Sequence, residues 1–235
     1  MTRPIPDRVK ESLFGLLRGH CEGAHVFDGF AGTGSIGLEA VSRGATRCVC
    51  VERDKGAANL LRRNIESLNA QDRCELVVGD ALGPGALARA PRPLTLAFLD
   101  PPYPLVRDPI GWERVKAQLQ KLVDLLSDDG FAIVRTPWPF QLVSPAGGAE
   151  PVEEIAGPDL KAKKRRPTRE PKQGRWHELN APMEETVQES VTSEEDEPDV
   201  ARVPADLSLP NAVGPETHAY HSTALHLYMK KRSGA

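Results

Sequence analysis

The 235-residue chain has few of the features that mark membrane or secreted proteins. It contains no run of about 18 apolar residues, the length that a helix needs to cross a bilayer. Its first residues, Met1 to Arg8, are polar and lack the apolar core of a secretion signal. The four cysteines form no Cys-x-x-Cys pair, which indicates reduced core thiols rather than a disulfide framework or a zinc site. We therefore expect a cytoplasmic protein with no membrane segment and no bound metal.

Charge of one sign is not in large excess, because the formal net charge is only −3. The charges are nevertheless unevenly distributed: residues 161–166 (KAKKRR) form a basic tract, and residues 194–197 (EEDE) form an acidic one. The basic tract is as compatible with phosphate binding as with a solvated linker. Net charge alone therefore does not exclude a nucleic-acid partner.

Apolar runs alternate with amphipathic stretches up to about Pro137. Short apolar runs predict strands, and stretches with helical periodicity predict helices between them. The predicted strands lie at residues 25–27, 48–51, 76–78, 94–99, 131–134 and 223–228, and the predicted helices begin at Asp7 or cover residues 35–42, 57–68 and 112–126. Strands separated by helices indicate parallel βαβ units, and hence an α/β fold with a doubly wound sheet.

Residues 144–215 break this pattern, because proline, glycine and charge dominate and no apolar periodicity survives there. We predict a core at residues 1–143, a charged and disordered insertion at residues 144–215, and a C-terminal strand within residues 216–235. That strand would complete the same sheet, so the organisation predicted is one domain with an insertion.

A glycine motif follows the first predicted strand. Gly32, Gly34 and Gly37 satisfy G-x-G-x-x-G, and Glu52 ends the next strand. Glycines let the backbone approach a ligand closely, and a carboxylate at the end of the second strand can accept hydrogen bonds from ribose hydroxyls. This pattern fits NAD as well as S-adenosylmethionine, because both molecules contain adenosine.

Two further acids favour S-adenosylmethionine as the cofactor. Asp28 would repel the pyrophosphate of a dinucleotide but would attract the ammonium group of S-adenosylmethionine. Asp80 follows the third strand, where a carboxylate can bind an adenine amino group, and a turn cap is an equal alternative for it. The predicted cofactor site consists of Asp28, Phe30, Gly32, Gly34, Glu52 and Asp80.

The fourth strand runs directly into Asp100-Pro101-Pro102-Tyr103. Ligands of open α/β sheets bind outside the carboxyl ends of the strands. Two prolines fix the backbone and remove two donors, so the Asp100 carboxylate and nearby carbonyls form a stiff array of acceptors. Such acceptors would orient the exocyclic amine of a nucleic-acid base toward a methyl donor, while Tyr103 stacks on the base. We predict that Asp100, Pro101, Pro102 and Tyr103 are the catalytic residues, with a simple strand-ending turn as the structural alternative.

Together these segments resemble the RsmD family. The residues that carry the resemblance are Arg3-Pro4, Asp7 to Phe14 (DRVKESLF), Asp28 to Gly34 (DGFAGTG), Leu38 to Ala45 (LEAVSRGA) and Asp100 to Tyr103 (DPPY). The resemblance covers residues 1–136 and resumes at about residues 220–230. It implies a class I methyltransferase with a Rossmann-like, mostly parallel sheet and an antiparallel C-terminal strand.

By the same resemblance, the chain would use S-adenosylmethionine to methylate N2 of a guanine in 16S ribosomal RNA, within an assembling small subunit. Arg3 and Arg8 would then border the RNA, and we expect a monomer. The chain departs from the family's pattern at Ile5, which replaces a usual threonine, and at Arg135, which stands where a glutamate is common.

Rival functions from the same motifs remain open. A DNA adenine or cytosine amino-methyltransferase would use the same tetrapeptide, although the chain has no obvious target-recognition domain. An NAD-dependent oxidoreductase would use the glycine motif but would leave Asp100-Pro101-Pro102-Tyr103 unexplained. A non-catalytic RNA-binding module would not need the intact acids Asp28 and Asp100.

Overall fold

The computed structural model describes residues 5–145 and 200–232. Arg3, the basic and acidic tracts and most of the predicted insertion lie outside the described residues. The helices and strands are, in chain order, α1 (Asp7–Leu16), β1 (His25–Gly29), α2 (Gly37–Ser42), β2 (Arg47–Glu52), α3 (Lys55–Ser67), β3 (Cys74–Val78), α4 (Pro84–Arg89), β4 (Leu94–Leu99), α5 (Tyr103–Arg107), α6 (Pro109–Leu125), β5 (Leu126–Pro137), β6 (Gln141–Pro145), β7 (Val200–Pro204), β8 (Ala212–Tyr220) and β9 (Thr223–Lys230).

The main sheet has seven strands in the order β3-β2-β1-β4-β5-β9-β8. Strands β3, β2, β1, β4 and β5 are parallel, and β9 is antiparallel to both β5 and β8. The predicted doubly wound, mostly parallel sheet with an antiparallel C-terminal strand is therefore confirmed. The direction in which strands are added reverses between β1 and β4, which makes their carboxyl ends the expected ligand position.

Neighbouring residues of the central strands point to opposite faces of the sheet and enter two separate cores. Phe98 of β4 packs on the face covered by α1, where its ring lies 6.2 Å from that of Phe14. The next residue, Leu99, packs on the other face with α6 residues such as Trp112. Each such buried side chain stabilises the fold by about 1.5–3 kcal/mol. The sheet is consequently apolar on both sides, and this explains why its strands are continuous apolar runs in the sequence.

The predicted insertion ends earlier than residue 215. Strand β7 and the first residues of β8 fall inside residues 144–215, and β8 begins at Ala212. Strand β8 lies at the edge of the sheet and is exposed at most positions, so it lacks the apolar run that marks the central strands. Its stability comes from pairing with β9, which a local pattern does not reveal.

Two short helices were also not predicted. Helix α4 has Pro84 in its first turn, and α5 begins at Tyr103, so the tetrapeptide leads directly into a helix. Among residues 5–145 and 200–232, no helix combines the length and the apolar character needed to cross a membrane.

His226 is a fully buried polar residue in β9. Its Nε2 atom lies 2.8 Å from Oγ1 of Thr136 in β5, and its Nδ1 atom lies 2.9 Å from Oγ1 of Thr217 in β8. Burial lowers the pKa of His226 to about 4, because the charged imidazolium loses its hydration there. A neutral imidazole therefore links three neighbouring strands at pH 7.

We predict that acidification removes this stabilisation. Between about pH 6.5 and pH 4 the unfolded chain protonates His226 and the folded chain does not. The free energy of unfolding therefore decreases as the pH is lowered, and His226 contributes about 3 kcal/mol to this decrease. Urea unfolding of the wild type and of His226→Gln at pH 7 and pH 4 measures the effect. The wild type should lose about 3 kcal/mol relative to the variant at pH 4. A stability difference that is the same at both pH values would contradict the prediction.

Candidate active site

A cleft of about 480 Å³ lies at the carboxyl edge of the sheet. Its walls come from residues 5–6 just before α1, the glycine loop (residues 30–33), the tetrapeptide and the following residue (100–104), Arg135 of β5, and the end of the β8–β9 turn with the first residue of β9 (residues 222–223). The structure therefore brings the glycine motif and the tetrapeptide to one cleft, although about 70 residues separate them in the chain.

Asp28 lies beneath the glycine loop and is almost completely buried. Its Oδ2 atom accepts a hydrogen bond of 2.8 Å from the Gly37 backbone N–H. Within the described part of the chain, no donor reaches its buried Oδ1 atom. Burial raises the pKa of Asp28 to about 7; the charges of Asp100 and Glu52 act in the same direction, and the Gly37 bond opposes them. A buried acceptor without a donor is unusual, and it fits the ammonium group of a ligand or a bound water.

The structure requires glycine at the three positions of the motif for different reasons. Gly32 has a φ of +57°, lines the cleft, and has open space where a Cβ would lie. Gly34 has a φ of +90°, and a Cβ there would collide with the side chain of Leu61 in α3. A Cβ on Gly37 would lie 2.8 Å from the Cys50 Sγ atom, so this glycine lets α2 approach β2. Of the three, only Gly32 borders the cleft directly.

Phe30 is a non-glycine residue with a φ of +65°, and it lines the cleft beside the glycine loop. A bulky side chain in this region is strained, and such strain often occurs at ligand sites. Glu52 supports the same loop: its Oε2 atom accepts from the Gly32 N–H at 2.8 Å, and its Oε1 atom accepts from the Asp54 N–H at 2.7 Å. Each carboxylate oxygen keeps a further lone pair, which a ribose hydroxyl could use.

Asp80 does not line the cleft of the tetrapeptide. Its Oδ1 atom caps the following turn by accepting from the Leu82 N–H at 3.0 Å, and its Oδ2 atom lies 3.3 Å from Arg114. Asp80 borders a second hollow of about 430 Å³ between β3 and α4. The turn-cap alternative therefore describes its contacts, and its role toward a cofactor stays a prediction.

Asp100 forms a nearly buried ion pair with Arg135. The Arg135 Nε atom donates to Asp100 Oδ1 at 2.6 Å, and its Nη1 atom donates to the Tyr103 hydroxyl at 3.1 Å. The guanidinium carbon also lies 5.3 Å from the centre of the Tyr103 ring. Burial raises the pKa of Asp100, while the charge and hydrogen bond of Arg135 lower it. Arg135 is not among the site residues predicted from the sequence, where it was noted only as a departure from the family's pattern; a further signal is that it is a cation in an apolar strand.

The carbonyl groups of the two prolines in the tetrapeptide differ in their hydrogen bonding. The Pro102 carbonyl accepts from the Leu105 N–H at 2.9 Å and thereby starts α5. Among the described residues, no backbone N–H donates to the Pro101 carbonyl. The Asp100 Oδ2 atom and the Pro101 carbonyl are thus acceptors without a donor among the described residues.

The predicted RNA side is only partly described. Ile5 and Pro6 line the cleft, whereas Arg8 is exposed on the first turn of α1 and does not line it. In the ranges that the structure covers, no group of histidine, cysteine or acidic side chains could hold a metal ion.

Known proteins resemble this chain in sequence. A family model described as conserved hypothetical protein 95 matches residues 1–154. YlbH of Bacillus subtilis is 35% identical over 136 residues, which are 56% of this chain and 70% of that protein. The ribosomal RNA small subunit methyltransferase D of Haemophilus influenzae is 37% identical over 106 residues, which are 43% of this chain and 53% of that protein. The last match thus spans about half of that relative's length.

A solved structure resembles the chain in fold. That of yhhF from Escherichia coli superposes with a TM-score of 0.55 at 20% identity, covering 99% of this chain and 89% of that one. At this level of identity the likeness concerns the fold alone. The predicted class I, Rossmann-like fold is confirmed.

We predict that Gly34→Ala destabilises the protein more than Gly32→Ala does. Both positions have positive φ, so each substitution should cost about 1–2 kcal/mol through the backbone. Only at Gly34 would the new methyl group also collide with a buried leucine, which should add about 1–3 kcal/mol. Urea unfolding of the two variants measures the difference. An equal decrease in the free energy of unfolding would show that Leu61 moves away from the new methyl group without destabilising the protein, and would contradict the prediction.

We also predict that Asp28→Asn stabilises the protein at alkaline pH. Because the pKa of Asp28 is raised in the folded state, the unfolded chain ionises this carboxyl from about pH 4 and the folded chain only near pH 7, so the free energy of unfolding falls between these two pH values and stays lowered above them. Asparagine retains an acceptor for the Gly37 N–H but carries no charge, so its advantage over aspartate should grow by up to about 4 kcal/mol between pH 4 and pH 8. Urea unfolding at both pH values tests this, and an advantage that does not grow with pH would contradict it.

Proposed function

Because the chain belongs to the RsmD family, we propose that it is an S-adenosylmethionine-dependent methyltransferase that modifies the exocyclic N2 amine of a guanine in small-subunit (16S) ribosomal RNA. One observation carries this proposal: the Asp100 carboxylate and the Pro101 carbonyl stand as a pair of acceptors in the cleft that the glycine loop also lines. A dehydrogenase has no use for such a pair, whereas a primary amine has two N–H donors to satisfy it.

The donor side of the proposed site consists of Asp28, Phe30, Gly32, Gly34 and Glu52, with Asp80 at the second hollow. The unpaired Oδ1 atom of Asp28 suits the ammonium group of S-adenosylmethionine, directly or through a water. Glu52 would accept from the ribose hydroxyls while it holds the loop through Gly32. When bound, S-adenosylmethionine supplies a methyl group that its sulfonium centre activates.

The target side consists of Asp100, Pro101, Pro102 and Tyr103. The acceptors of Asp100 and Pro101 would align the amine so that its lone pair faces the methyl group, and alignment is the main requirement of such a displacement. The Tyr103 ring would stack on the base once the base has left its helix or loop. Pro102 fixes this geometry because its carbonyl starts α5.

The methylated amine must lose a proton after the transfer. Asp100 is the candidate acceptor, because burial raises its pKa and thus makes it a better base. Arg135 opposes that rise through its charge and holds the carboxylate in place at 2.6 Å.

The substrate would be 16S rRNA within an assembling small subunit, met by a cytoplasmic monomer. Arg8 and the undescribed Arg3 would border the RNA as phosphate contacts. A DNA amino-methyltransferase is the alternative that would use the same acceptors. The named relatives favour RNA over DNA as the substrate.

We predict that Asp100→Ala abolishes methyl transfer but leaves the affinity for S-adenosylmethionine within a few-fold of the wild type. The variant removes an aligning group of the target amine, so the loss should appear in kcat, by about 100-fold or more. Mass spectrometry of N2-methylguanine in small-subunit RNA gives the activity, and calorimetry gives the donor affinity.

The matched control is Asp206→Ala. Asp206 also forms an ion pair, at 2.6 Å with Lys116, but it does not line the cleft. This variant should keep its activity. Wild-type turnover of Asp100→Ala would refute the assignment of Asp100, and failure of the wild type to methylate any guanine would refute the proposed function.

A further inference from the structure

Arg135 carries a cation into the wall of the cleft. Its side chain is only 9% exposed, and the side chain of its partner Asp100 is 14% exposed. Desolvation acts against a charge in such a place, yet the carboxylate of Asp100 outweighs it and raises the pKa of Arg135. The guanidinium is therefore charged and held at two points, by Asp100 and by the Tyr103 hydroxyl.

One end of this ion pair is left without partners. The bonds of Arg135 use its Nε and Nη1 atoms, and the bond of Asp100 uses its Oδ1 atom. In the part of the chain that the structure describes, no acceptor bonds to Arg135 Nη2 and no donor bonds to Asp100 Oδ2. Both residues line the cleft. The ion pair thus keeps one unused donor and one unused acceptor, and since neither atom is among the fully buried unpaired atoms of the described residues, both are accessible to a ligand.

We propose that Arg135 recognises the target base by donating a hydrogen bond from Nη2 to the O6 carbonyl of guanine. This inference rests on the proposed function. The Watson–Crick edge of guanine presents the N2 amine, the N1–H donor and the O6 acceptor in that order. The Asp100 carboxylate would accept from the two donors, and Arg135 would meet the acceptor next to them.

The pair of Asp100 and Arg135 would discriminate against other bases that carry an exocyclic amine. Adenine and cytosine place a ring-nitrogen acceptor beside their amine, so this acceptor would face the carboxylate of Asp100. Adenine presents a C–H group in the position of O6 when its amine is at Asp100, so Arg135 would lack its partner, and a polar group left without a partner weakens binding strongly. Cytosine presents its O2 carbonyl in that position and would be disfavoured by its ring nitrogen alone.

Arg135 could instead serve only as the counter-ion of Asp100. The two roles predict different results when O6 is removed from the base. A counter-ion acts on Asp100 whatever base is bound, so its loss would reduce transfer to every base by the same factor. A residue that binds O6 loses its effect when O6 is absent.

The experiment uses small-subunit RNA assembled by ligation, with either guanine or 2-aminopurine at the nucleotide that the wild type methylates. The base 2-aminopurine keeps the exocyclic amine but lacks both O6 and the N1–H donor, so the effect of O6 is measured by the change in preference between the wild type and the Arg135 variants. Wild type, Arg135→Gln and Arg135→Lys are compared by kcat/KM on both RNAs. Arg47→Gln is the matched control, because Arg47 pairs with Glu75 at the start of β2, away from the cleft.

We expect the wild type and Arg47→Gln to prefer guanine over 2-aminopurine by roughly 10- to 100-fold, the range for a hydrogen bond to a charged group. In Arg135→Gln this preference should fall by roughly 10-fold or more, because only the reaction of guanine loses a contact with residue 135; the preference that remains comes from N1, which is a donor in guanine and an acceptor in 2-aminopurine. Arg135→Lys should retain part of the preference, since an ammonium also donates. Affinity for S-adenosylmethionine should stay within a few-fold in all of these proteins, which shows that the variants are folded.

An unchanged preference in Arg135→Gln would overturn the inference and leave the proposed function standing. If that variant turns over neither RNA, the ratio of its equilibrium dissociation constants for the two RNAs gives the preference and decides in the same way. A wild type that methylates the 2-aminopurine RNA as fast as the guanine RNA would also overturn it. Absence of transfer to guanine by the wild type would instead defeat the proposed function together with the inference.

Discussion

Burial of both faces of the central strands constrains where this fold can place charge. Strands β2 and β4 pack against helices on both sides, so their middle positions are buried and apolar, and charged groups occur only near the strand ends. Asp28, Glu52 and Asp100 accordingly stand at, or just beyond, the carboxyl ends of β1, β2 and β4. Parallel strands bring these ends to one edge of the sheet. The same packing that forms the two cores therefore collects the three acids at one edge of the sheet, where Asp100 lines the cleft and Asp28 and Glu52 bond to the glycine loop and the helix after it.

Carboxylates collected in this way repel one another, and the protein stabilises two of them differently. Within residues 5–145 and 200–232 no cation pairs with Asp28, and burial raises its pKa to about 7, so it readily takes up a proton or a positively charged partner. Asp100 already has a counter-charge in Arg135. A cationic ligand group is thus suited to Asp28, whereas Asp100 is suited to a neutral donor such as an amine. This difference agrees with the separate donor and target sides that we propose.

Local sequence patterns were sufficient to predict the features that depend on residues close together in the chain. The buried strands were predictable because both of their faces are apolar, and the cleft followed from the position of the glycine motif and the tetrapeptide at strand ends. The steric requirement for glycine at position 34 was not predictable from the sequence, because it comes from the side chain of Leu61 in α3, which a Cβ atom at position 34 would overlap. Asp80 could be a cap or a ligand contact by sequence, and its hydrogen bonds are those of a cap. Arg135 and strand β8 were missed because each depends on partners distant in the chain.

Strand β9 lies between β5 and β8, although Thr136 and His226, which meet across this junction, are 90 residues apart in the chain. Closing so long a loop costs entropy before strand pairing compensates for it, so this part of the sheet should form late in folding. During synthesis, β5 would remain an open edge until residues 223–230 leave the ribosome. An open edge of this kind can pair with a strand of another chain. The timing of β9 therefore sets how long the nascent protein is exposed to misassembly.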